Sequence, residues 1–200
     1  MGRYTKILKN KAMRNLSSDK GVHKKVYLES KKVFDRSKKE MLEEFNRHPV
    51  TKELRAGPDS YNYSGTLIGA GNLYSFIGFQ QGENPAQKIY DYLNFNTQLI
   101  GRTPRVVRKT QRSVFLGFRI KAPSKRELAS ISPMPWEPGS WLFKIESGMS
   151  GLGQYIYEKY IKASRSGSGI QADGKVRQAV FKRASYMSAI LNTFKRNFVK

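Results

Sequence analysis

Tyr27, Phe34, Met41 and Phe45, with Val26 and Val33 alongside, fall on one face of a helix wound through residues 21–46. Lys31, Lys32, Lys38, Lys39, Glu40, Glu43 and Glu44 take the other positions, with acids nearly balancing bases. That is the pattern of a solvated face carrying i,i+4 pairs. An apolar stripe of this length has to be buried against other elements of a core. His48-Pro49 ends the helix, because proline biases the residue before it away from helical backbone.

The rest of the chain is read from period and punctuation. Residues 50–72 read as a connection, with turn chemistry at Ala56-Gly57-Pro58-Asp59-Ser60. Leu73 to Phe79 is aromatic and β-prone and reads as a strand. Pro85 suits the first turn of a short helix with Ile89, Tyr92 and Leu93 on its face. Residues 102–122 read as one long strand or two bent ones. Within them Val114, Leu116, Phe118 and Ile120 alternate with Ser113, Phe115, Gly117 and Arg119, a period of two with one face buried. Pro123, Pro133, Pro135 and Pro138 predict an irregular loop over 123–140. Trp141 to Glu146 reads as a short strand. Tyr155-Ile156-Tyr157 and Tyr160-Ile161 suggest a short helix. A closing helix is expected over about 175–198, its face formed by Val176, Val180, Met187, Leu191, Phe194 and Phe198. The order predicts an α+β chain: a long N-terminal helix, an antiparallel sheet with a long basic hairpin, and a C-terminal helix. Residues 1–25 form a basic extended arm, and residues 26–200 one core domain with loop insertions at about 123–140.

Charge is the strongest compositional signal. There are 37 Lys+Arg against 15 Asp+Glu, a net charge of +22, and no cysteine. Such a chain attracts polyanions: nucleic acid, an anionic membrane or acidic protein surfaces. Arg3, Lys6, Lys9, Lys11 and Arg14 lie in the arm, where the single acid is Asp19. Arg102, Arg105, Arg108, Lys109, Arg112, Arg119 and Lys121 have no acid among them. On a regular strand Arg105, Lys109 and Arg119 share one parity, and Arg102, Arg108 and Arg112 the other. A basic hairpin of this kind follows a phosphate backbone, or is simply solvated, or forms a rim that docks on an acidic subunit. No apolar run approaches the roughly 20 residues that span a bilayer, and the basic N-terminus lacks the apolar stretch of a secretory signal. No membrane partner is expected.

Chemistry is harder to assemble. Gly65, Gly69 and Gly71 invite a phosphate-loop reading, but no Gly-Lys-Ser/Thr follows them. Thiol chemistry is excluded by the absence of cysteine. With His23 and His48 the only histidines, a histidine-rich metal site is not expected. Glu146 is either a buried functional acid or, as is commoner, the cap of a turn or the partner of an arginine. His48, before Pro49, reads as structural. No Ser-His-Asp set assembles. No catalytic, metal or cofactor-binding residue is assigned, and an enzyme is not expected.

Several segments together resemble the neck and tail-completion proteins of tailed bacteriophages. The long helix leads to Ser64-Gly65-Thr66-Leu67, after Pro49-Val50-Thr51; a hairpin follows at Val106 to Ile120. Then come an aromatic segment ending in acid and glycine, Trp141-Leu142-Phe143-Lys144-Ile145-Glu146-Ser147-Gly148, and a closing helix. The resemblance covers about residues 26–198 in pattern. It implies a virion protein assembled in the host cytoplasm, without catalytic residues. It also implies a homo-oligomeric ring that joins head and tail through neighbouring capsid-connector or tail proteins. Pro133, Pro135, Trp136, Trp141 and Glu146 are then the expected assembly contacts. The basic side chains would meet acidic neighbours or packaged DNA. A basic nucleic-acid-binding protein, for example a ribosome-associated one, is the alternative.

Overall fold

A computed structural model describes residues 18–67, 71–110, 113–135, 138–149 and 181–198, and the backbone of 155–157 and 171–173. The chain is α+β. Its elements are α1 (Lys20–Arg47), α2 (Pro49–Ala56), α3 (Leu73–Ile77), α4 (Pro85–Asn96), β1 (Gln98–Lys109), β2 (Val114–Lys121), α5 (Lys125–Ser130), α6 (Trp141–Ser147), β3 (Tyr155–Tyr157), β4 (Gln171–Asp173) and α7 (Met187–Arg196). They divide between two compact units. One is drawn from the described residues of 1–39 and 96–122, the other from those of 40–95 and 123–200.

Helix α1 forms as its period predicts. Asp19 starts it, its Oδ1 accepting the Val22 N–H at 2.8 Å. Phe34, Met41 and Phe45 are buried, Tyr27 is half-buried, and Val33 is exposed. Exposed pairs Lys32–Glu29 at 2.8 Å and Arg47–Glu43 at 2.9 Å decorate the outside, each contributing a few tenths of a kcal/mol at about 25 °C. The helix takes in residues 20–25, which the sequence assigned to an extended arm; residues 1–17, with Arg3, Lys6, Lys9, Lys11 and Arg14, lie outside the described residues.

In the first unit β1 and β2 form a two-stranded antiparallel hairpin, as predicted. Its register runs from Gln98↔Lys121 to Lys109↔Val114, with shifts between Ile100 and Arg105 and between Val106 and Arg108. At the first shift Gly101 takes φ 82°, and Pro104 brings no N–H to the ladder. Phe118 meets Tyr27 of α1 edge-on, ring centroids 5.8 Å apart. That contact fixes which face of the hairpin turns inward.

The second unit is built of short helices around a core that includes Phe45, Leu54, Tyr74, Leu93, Leu142 and Phe194, all buried. Six sequence expectations are corrected in this unit. Leu73 to Ile77 is helical, not a strand: Asn72 caps it, accepting the Ser75 N–H at 2.9 Å, and Gly78 closes it in the left-handed region. Trp141 to Ser147 is likewise a helix, with Trp141, Leu142 and Ile145 buried at i, i+1, i+4 spacing. Residues 49–56 are helical, and the expected irregular loop contains α5, started by a capping box of Ser124 and Glu127. The closing helix begins only at Met187; residues 182–186 are non-helical, and Phe181 bridges Leu67. Met187, Leu191 and Phe194 are buried on its face as expected, and residues 175–180 lie outside the described residues. Tyr155–Tyr157 is a strand paired antiparallel to Gln171–Asp173, where a helix was expected. Helix α4 starts at Pro85 and buries Ile89 and Leu93 as predicted.

Candidate interaction surfaces

Side chains of directly opposed residues in an antiparallel pair lie on the same face. On β2, Val114, Leu116, Phe118 and Ile120 form the half-buried inner face, as the period of two predicts; Phe115, Arg119 and Lys121 are exposed on the outer one. Opposite that outer face stand Arg108 across from Phe115 and Arg105 across from Gly117. Strict alternation separates Arg105 from Arg108. The extra residue Val107 overturns that parity and returns both arginines to one side. The outer face therefore carries Arg105, Arg108, Arg119 and Lys121, all exposed. Among the described residues none of these makes an ion pair. Lys109 pairs with Val114 and takes the other face near the tip. Arg102 is exposed in the irregular stretch, and Arg112 lies outside the described residues.

The bulge also exposes apolar surface. Val106, Val107 and Phe115 are 51%, 72% and 51% exposed. In sequence, only Gly117 hints at the arrangement: a residue without Cβ makes room for the Val107 methyl groups.

The expected assembly contacts separate. Pro133 and Pro135 are exposed on a closed loop held by the Met134 N–H to Gly139 carbonyl bond at 2.9 Å and the Trp141 N–H to Ser132 carbonyl bond at 2.9 Å. Trp136 lies outside the described residues. Trp141 is not available to a neighbour: it is 2% exposed, with Phe79 edge-on against it at 5.8 Å. Glu146 is turned inward as well. Its carboxylate accepts from the backbone N–H and the hydroxyl of Ser188 in the first turn of α7. It therefore caps that helix, where a carboxylate also meets the positive end of the dipole.

A second carboxylate escaped the sequence reading. Glu53 is fully buried in α2 and accepts the N–H of Ser64 at 2.7 Å and of Leu73 at 2.5 Å. It pins Ser64-Gly65-Thr66-Leu67 and the start of α3 to one helix. Lys182 N–H adds a bond to the Thr66 carbonyl at 2.7 Å. His48 is held at both ring nitrogens. Nδ1 accepts from Val50 N–H at 3.3 Å and Nε2 donates to the Ser185 carbonyl at 3.0 Å, which defines the neutral ring. Burial pushes its pKa down, outweighing the opposing pull of the Ser185 carbonyl and the Glu146 charge. Beside it Tyr186 is fully buried and bonds Thr51 Oγ1 at 2.7 Å, and burial drives its phenol well above the usual range. Among the described residues no group of His, Asp and Glu is placed to hold a metal ion, and no helix is long and apolar enough to cross a membrane.

Comparison with known proteins finds no family model, no curated protein and no solved structure that matches the chain.

Proposed function

We propose that the chain is a structural subunit of a tailed-phage virion, a neck or tail-completion ring component that joins head and tail by protein–protein assembly and performs no reaction of its own. The observation that carries this reading is the exposed apolar surface on a free ribbon. Val106, which pairs with Leu116 on the face away from Arg105 and Arg108, is 51% exposed on a sheet of two strands. A two-stranded hairpin is marginal alone in water, and among the described residues neither strand pairs with a third along its outer edge. A neighbouring subunit laid along an outer edge would pair with that strand and cover Val106. On the other unit Tyr61 and Tyr63, 78% and 55% exposed and edge-on to each other, offer outward aromatic surface, and Pro133 and Pro135 are exposed as well. Glu146, the acid weighed from the sequence as a functional one, is occupied in capping α7.

The test is the solution mass of nuclease-treated protein by light scattering, at low and high salt. A discrete oligomer that survives high salt, or a monomer that assembles on a purified neck or tail partner, agrees with the proposal. A monomer that gains mass only with nucleic acid replaces it with the second reading, a nucleic-acid-binding protein. The specific observation behind that second reading is the absence of any acid from residues 97–122.

A further inference from the structure

We infer that the outer face of the β1–β2 hairpin binds the phosphate backbone of duplex DNA, with Arg105, Arg108, Arg119 and Lys121 as the contacts. The inference deepens the proposed assembly role, and rests on it only for the source of the duplex.

Three observations lead there. Tyr27 against Phe118 turns the opposite face inward, and on this face Phe115, Arg119 and Lys121 are exposed. The bulge at Val107 places Arg105 and Arg108 on the side that already holds Arg119 and Lys121. Each of the four is exposed, and no acid stands anywhere on either strand. A surface with one sign of charge and no internal partner is complementary to a polyanion. Three of the four cations are arginines, whose fork matches phosphate oxygens two at a time.

The shape selects duplex over single strand. A two-stranded ribbon, its strands about 5 Å apart, fits a major groove about 12 Å wide. A single-strand platform stacks successive bases on successive aromatic rings. This face carries one ring, Phe115, with Val107 lying over Gly117 next to it. The contacts assigned to these four cations are to phosphate oxygens, which every duplex sequence presents.

The experiment is fluorescence anisotropy of full-length, nuclease-treated protein with a short labelled duplex of mixed sequence, from about 50 to 200 mM salt. The variants are Arg105→Ala/Arg108→Ala, Phe115→Ala, and Lys6→Ala/Lys9→Ala/Lys11→Ala as a control in the arm. Circular dichroism melts check that each still folds. The double arginine variant is expected to bind on the order of tenfold more weakly, with its log–log salt slope lower by about 2. Phe115→Ala should stay within about twofold, because stacking is not used. Wild-type affinity in the double variant, with loss only in the arm control, overturns the inference. So does a preference for single strands that Phe115→Ala abolishes, or binding to phosphatidylserine vesicles in place of DNA. Absence of DNA binding by a chain that still forms its ring overturns this inference alone. A chain that binds duplex as a monomer and never assembles sinks the virion reading and leaves the hairpin surface standing.

Discussion

A Cβ built on Gly117 would lie 2.7 Å from Cγ2 of Val107. The bulge residue of β1 thus folds its side chain over the one position of β2 that has none. The contact holds the register shift that brings Arg105 and Arg108 together. Gly117→Ala should force the exposed Val107 side chain off its rotamer and destabilise the hairpin by roughly 0.5–1.5 kcal/mol. Val107→Ala in the same chain should restore most of that loss. Urea melts of the single and double variants measure it, and equal stability of the two would show that the contact is not responsible.

Glu53 is the carboxylate on which the second unit's loops converge. Replacing it by alanine leaves the Ser64 and Leu73 N–H groups without their acceptor. An unsatisfied buried donor costs about 1–3 kcal/mol, so Glu53→Ala should cost several kcal/mol in all. Glu53→Gln keeps one oxygen and should fall between the two. Chemical denaturation reads both, and an unchanged midpoint for Glu53→Ala would contradict the assignment.

Glu146 and Ser188 make a cap across 42 residues of sequence. Ser188→Ala keeps the backbone donor and should cost less than Glu146→Ala, which removes a charge at the helix start. Loss of a cap is worth about 0.5–2 kcal/mol. Thermal melts together with amide exchange in residues 187–190 should place the loss in α7. Exchange that rises elsewhere and leaves α7 protected would count against the cap.

His48 carries a pH signature. Its folded pKa lies below the ordinary 6.5 because burial disfavours the charged ring. Below that ordinary value the unfolded chain binds the proton first, so stability rises with pH wherever that holds. The contribution is complete above about pH 7 and is lost as pH falls through 6.5 toward the lower folded value. His48→Asn, which keeps a capping side chain for Val50, should flatten the stability profile over that window. Melts of the two proteins from mildly alkaline to mildly acidic pH give the comparison, and parallel profiles would assign the pH dependence to other groups.

Regular, long elements were legible in the sequence. Residues 21–46 repeat their apolar face over many turns, and Val114 to Ile120 alternate without interruption, so one local pattern outweighs its alternatives. Pro85 marked the start of α4 for an equally local reason, its fixed φ and missing N–H. The runs 73–79 and 141–146 were not legible, because an apolar stretch of five to seven residues fits a strand or two helical turns equally well. The caps Asn72 and Gly78 decided the first, and burial of Trp141, Leu142 and Ile145 the second.

The sequence alone determined the charge, the α+β class, the first helix and the acid-free hairpin. Tertiary structure alone decided what those charges and acids face. The Val107 bulge exists only as a pairing of two strands, and it reassigns every arginine on one side of it. Glu53 finds its donors 11 and 20 residues away, and Glu146 finds Ser188 42 residues away. Such contacts depend on how the chain closes its long loops, and no local period records that.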